Sequence, residues 1–176
     1  MQYTRFQDIP AFTRDGNYRV TVPWVSLEKT LAGYDQDGML DLDPDFQRAH
    51  VWNEAQQIRY VEFRLRRGKT GSDILFNAKG WNRGENHLIV LVDGKQRLQA
   101  VLRFLRNEIP AFGGFYNQYV DGLRMTDANF VFIINDLETR AEVLQWYIDH
   151  NSGGIAHTEE EINKVKILLE NEKNKD

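Results

Sequence analysis

A chain of 176 residues is long enough for one domain with a full hydrophobic core and short for two. Hydrophobic residues at 41% and charged residues at 27% are ordinary globular usage, no apolar run approaches a bilayer span, and MQYTRFQDIP lacks the pattern of a secretory signal. The cytoplasm is therefore the expected location, with no membrane partner. The lack of cysteine excludes disulfides, thiolate metal sites and thiol nucleophiles, and a net charge of −4 leaves only local basic patches as a route to DNA.

Residues 17–25, NYRVTVPWV, alternate apolar and polar up to a proline and predict a strand. Ser26 is placed to cap a helix over SLEKTLAG, with Gly33 as its stop, and GYDQDGMLDLDPD carries the punctuation of a loop that delivers Phe46, Gln47 and Arg48. Asn53 and Gln56 have capping-box spacing, and Ile58, Val61 and Leu65 recur at helical spacing until Gly68. A neighbouring face carries Arg59, Arg66, Arg67 and, just beyond, Lys69, either a phosphate-binding cluster or a solvated helix face.

Strands are predicted over Asp73–Asn77 and Leu88–Val92, the second an unbroken apolar run of the buried kind. From Gln96 to Arg106, Leu98, Val101, Leu102 and Leu105 share one face of a helix that IPAFGG closes, and Phe112–Thr126 reads as a loop. Phe130–Ile134 predicts another strand and Glu138–His150 a helix, followed by a turn at Asn151-Ser152-Gly153-Gly154. Thr158 and Glu161 have capping-box spacing before a last helix and a charged, frayed NEKNKD tail.

The segment LIVLVDGKQRLQAVLRFL sets an Asp-Gly turn between a buried strand and an amphipathic helix. Free amides at such a helix start carry partial positive charge and bind anions. Gly94 permits close approach, Lys95 supplies a point charge and Arg97 a planar fork for phosphate oxygens, while Asp93 is a candidate ligand for a divalent metal bridging them. The plainer alternative is that Asp93 caps the helix. In PDFQRAHVW, Trp52 and Arg48 form a second candidate pair, a base-stacking ring beside a cation; a core anchor and a salt bridge are the competing roles. The glycines after Asn151 read by themselves as a helix end. His50, His87, His150 and His157 are widely spread, with no metal-ligand spacing among them, and surface or capping roles are expected for each.

Taken in this order, PDFQRAHVW, VDGKQRL and HNSGGIAHTEEEI resemble the N-terminal domain of GmrSD-type restriction endonucleases over roughly residues 17–170. The resemblance implies an α/β (α+β) fold like that of the ParB and sulfiredoxin superfamily, a small mixed sheet packed with helices, as a single domain over 1–170 with a charged tail over 171–176. It implies a nucleoside triphosphate and Mg2+ as cofactors, without a Walker A loop, at Asp93, Gly94, Lys95, Gln96 and Arg97, with Gln47 and Arg48 lining the same pocket and Asn151 and Gly154 nearby. Lys95 stands where the family usually has glutamine, which adds positive charge and puts a specific role in hydrolysis in doubt.

Should hydrolysis occur, Asp93, Gln96 and Arg97 are the candidate catalytic residues, with Gln96 or Gln47 orienting water. Family members act in defence against foreign DNA alongside a His-Asn-His nuclease domain. No such centre is expected within these residues, so a separate nuclease subunit or a host defence protein is the implied partner. The alternatives are a DNA-binding module using Arg59, Arg66, Arg67 and Lys69, and a phage or mobile-element protein that binds a host defence protein as regulator or antagonist.

Overall fold

The computed structural model describes residues 18–47, 52–81, 88–152 and 159–174, together with residues 2, 4 and 5. Its strands are β1 (Tyr18–Pro23), β2 (Leu40–Asp41), β3 (Asp73–Ala78), β4 (Ile89–Asp93) and β5 (Asn129–Asn135), and its α-helices are α1 (Leu27–Tyr34), α2 (Glu54–Leu65), α3 (Lys95–Leu105), α4 (Arg140–Ser152) and α5 (Glu159–Lys173). One sheet runs in the order β1-β5-β3-β4-β2, antiparallel at β1/β5 and β3/β4 and parallel at β5/β3 and β4/β2. The architecture is mixed α/β, as expected.

Period-two pleating sorts the apolar strand residues into two cores. Ile74 and Phe76 of β3, Leu91 of β4, and Phe130, Phe132 and Ile134 of β5 belong to one cluster with Leu27 and Leu31 of α1, Val61 of α2 and Leu98, Val101 and Leu102 of α3. Their alternates Leu75, Val92 and Ile133 belong to the other, with Val143, Leu144 and Ile148 of α4 and Val165 and Leu169 of α5. The sheet thus lies between α1–α3 on one face and α4–α5 on the other. Both faces being covered explains why β3, β4 and β5 read as nearly continuous apolar runs. Phe76 and Phe132 meet at 4.9 Å in the first core and are fully buried, each worth roughly 1.5–3 kcal/mol of transfer free energy.

Local signals met different fates. The box at Asn53 forms in both directions, Gln56 N–H to Asn53 Oδ1 at 2.9 Å and Asn53 N–H to Gln56 Oε1 at 2.8 Å. Ser26 stands at the N-cap of α1, but its side chain makes no capping bond, and the helix passes through Gly33 to Tyr34. The end of α2 is turned by Arg67, at φ 64°, with Gly68 N–H donating to the Phe63 carbonyl. The loop after Gly33 contains a 3-10 turn, Gln36–Gly38, and the short β2. Asn151 and Ser152 are the last residues of α4 rather than a turn, because the helix continues past His150. The helix α5 extends three residues into NEKNKD, and the capping pair Thr158 and Glu161 lies outside the described side chains.

Candidate functional site

Topology brings the site together at one end of the sheet. Because β2 runs parallel to β4, the segment after β2, carrying Asp43, Phe46 and Gln47, emerges at the same end as the turn Asp93-Gly94 after β4. The Gln47 Nε2 group donates to the Leu91 carbonyl at 2.7 Å, which ties that segment to β4. On the other face, α4 brings Tyr147 and His150 to the same place, with Tyr147 edge-on to Phe46 at 5.5 Å.

The turn itself requires glycine. Gly94 has φ +104° and is the N-cap of α3; a Cβ there would lie 2.5 Å from Ile74 Cδ1. With no side chain at the N-cap, no side-chain bond from that residue caps α3, and the start of a helix carries partial positive charge that favours anions. Asp93 is accordingly not a cap. Its Oδ2 accepts from Arg97 Nη2 at 2.7 Å and lies 3.6 Å from His150 Nε2. Burial pushes the Asp93 carboxyl up, but the bond from His150 and the charge and bond of Arg97 outweigh it and hold the group at about 2. The Nε of Arg97 is buried with no hydrogen-bond partner, an unfilled donor on a residue that lines the site. Lys95 Nζ is paired with Asp43.

Gln47, Trp52, Lys95, Gln96, Arg97 and Tyr147 line, with the turn, a cavity of about 80 Å³. Pockets for whole ligands of drug size run to roughly 300–1,000 Å³, so this one suits a single phosphate-sized group. Gln96 is buried, and its Oε1 accepts from the Trp52 backbone N–H at 3.0 Å. Trp52 serves in two ways, packing against Tyr60 with centroids 5.3 Å apart while presenting a wall to the cavity.

The structure brings Gln47, Asp93, Gly94, Lys95, Gln96 and Arg97 together around one cavity. Asn151 lies in the last turn of α4 one residue beyond His150, but its Nδ2 donates to the Tyr147 carbonyl at 2.7 Å on its own helix. Arg48 and Gly154 lie outside the described residues. Asp43, Tyr147 and His150 are the site residues that the sequence reading missed. The i, i+3 spacing of Tyr147 and His150 on one helix face was the available signal.

The donor set does not fit a resident magnesium on Asp93. Its Oδ2 already accepts from the Arg97 guanidinium and faces the His150 imidazole, and a dication at that oxygen would meet the fixed positive charge of Arg97. Among the described residues no group of three or more His, Asp and Glu forms a metal cluster. The basic cluster of α2 lies away from this cavity: Arg59, Arg66, Arg67 and Lys69 are exposed, and Arg67 and Lys69 line a separate polar cleft of about 380 Å³ with Asp127. No described helix is long and apolar enough to cross a membrane. No protein family, curated protein or solved structure matches the chain.

Proposed function

We propose that this chain binds a nucleoside triphosphate by its phosphates, with one phosphate group in the cavity over the start of α3. The observation that carries the reading is the uncapped helix N-terminus at Gly94, flanked by Lys95 and Arg97 around a space of phosphate size. Backbone amides supply directed donors, Lys95 a mobile charge and Arg97 a fork with an unfilled Nε. Magnesium in this reading arrives as the counter-ion of the triphosphate, and Asp93 orients Arg97 rather than holding metal. The resemblance to the GmrSD-type N-terminal domain, and through it to ParB and sulfiredoxin folds, supports the same ligand and a place in defence against foreign DNA. A separate nuclease subunit or a host defence protein is the partner that goes with it.

Binding is better supported than hydrolysis. Gln96 and Gln47, the water-orienting candidates, each engage a backbone group that fixes a neighbouring segment. Calorimetric titration with ATP, GTP, CTP and UTP in magnesium tests the assignment. Lys95→Ala and Arg97→Ala should each weaken binding about ten-fold or more, the scale of a lost charged hydrogen bond. Unchanged affinity in both variants, or no binding of any nucleotide by the wild type, overturns it.

A further inference from the structure

Away from this site, the segment after α3 builds a second cavity of about 200 Å³ against the end of α2. Four of its walls are aromatic: Phe104, Phe112, Tyr116 and Tyr119. Tyr116 and Tyr119 stand edge-on to Phe104 at 5.5 and 6.3 Å, and the Tyr119 hydroxyl donates to the Ala111 carbonyl at 2.5 Å, so that ring is fixed. Leu65, Gly122 and Leu123 line it as well, with the carboxylates of Asp121 and Asp127. Among the described residues Asp121 makes no ion pair, and the nearest cation to Asp127 is Arg67 at 4.0 Å, beyond hydrogen-bond reach.

Phe112 is the informative residue. Ala111 and Gly114 exchange both backbone hydrogen bonds, at 2.8 and 2.9 Å, across a two-residue turn whose central residues have φ 47° at Phe112 and 79° at Gly113. Positive φ at both positions selects Asn, Asp or Gly first, and a bulky side chain is strained there. Burial does not compensate, since Phe112 is 56% exposed. Neither backbone preference nor core packing explains a phenylalanine at this point. A wall for a ligand does.

Aromatic faces with carboxylates close by are the chemistry that recognises an organic cation. A void of this volume exceeds the roughly 150 Å³ that accepts benzene, enough for a guanidinium or ammonium head on its alkyl stem. The surroundings indicate where that head comes from: Phe112, a wall of the cavity, and Phe115, Val120 and Met125 of the same segment are exposed, apolar surface that a free small cation would leave uncovered. We propose that this cavity receives an arginine or lysine side chain of a partner polypeptide, whose flanking residues cover the exposed apolar side chains of this segment.

The test is an NMR titration of the full chain with N-acetyl-arginine amide, its neutral isostere N-acetyl-citrulline amide, and N-acetyl-Leu-Arg-Leu amide. The arginine amide should shift backbone signals over residues 111–127 and saturate in roughly the millimolar range, the citrulline amide should not, and the tripeptide should bind more tightly. Phe112→Gly relieves the turn and should keep or raise the melting temperature while weakening binding about five-fold or more, with Asp121→Asn weakening it comparably. No shifts with the arginine amide, or equal shifts with citrulline, overturn the cation site. A tripeptide no tighter than the single residue overturns the polypeptide. A large fall in melting temperature for Phe112→Gly with binding intact shows that Phe112 is a packing residue and overturns its assigned role.

Discussion

Asp93 is the residue on which the site can be tested without any ligand. Its carboxyl sits at about 2 in the folded chain against 3.8 as the reference value. At about 1.4 kcal/mol per unit, that gap corresponds to on the order of 2 kcal/mol of stability. The folded value is the depressed one, so the contribution is present above pH ~4 and disappears as pH falls through the folded value near 2. Asp93→Asn removes the titration but keeps the shape. Urea unfolding of both proteins at several pH values isolates the effect, because groups that do not interact with Asp93 cancel in the difference. The pH-dependent part of that difference should be about 2 kcal/mol at pH 7 and fall to about 1 kcal/mol by pH 3. A pH-independent part adds to it, since Arg97 loses its partner. A difference that stays constant between pH 7 and pH 3 would refute the claim that these two groups hold the carboxyl down.

Two further outcomes follow from the same turn. Gly94→Ala places a Cβ at φ +104° and 2.5 Å from Ile74 Cδ1, and should cost at least about 2 kcal/mol in urea unfolding. Asp43→Asn removes the partner that holds Lys95; because Asp43 is largely exposed, the pair is worth little to stability, and the change should leave the melting temperature nearly unaltered while tightening triphosphate binding about two- to five-fold by calorimetry.

What the sequence disclosed depended on the range of the interaction. The turn Asp93-Gly94 and the face of α3 are local: a five-residue apolar run, a glycine that must adopt positive φ, and leucines at helical spacing all act within one turn or strand. The box at Asn53 and Gln56 is local too, and it formed. Contacts that cross the chain leave no such trace. Asp43 pairs with Lys95 because β2 adds in parallel beside β4, and a two-residue strand is too short to show a period. His150 reaches Asp93 because α4 covers the opposite face of the sheet from α3. Capping and stop signals failed where tertiary packing outweighed a weak local preference. Leu27 and Leu31 bury the inner face of α1 whether or not Ser26 caps it, and Gly33 inside the helix costs only about 1 kcal/mol.

The acids beside the cavity at the start of α3 count against anion binding, since Asp43 and Asp93 match Lys95 and Arg97 charge for charge. With that balance, side chains alone give an anion little net attraction, and the uncapped amides of α3 become the deciding positive element. Asp93 has a different effect, holding the long Arg97 side chain at the rim before a ligand arrives and so reducing the conformational entropy lost on binding. The two cations are not equally placed to respond. Lys95 is held by an exposed carboxylate that water readily re-solvates, whereas Arg97 is held by one that is mostly shielded. On the proposed reading, therefore, Arg97 keeps Asp93 and meets a phosphate through its remaining donors, while Lys95 is the side chain that changes partner and makes the site adjustable rather than fixed.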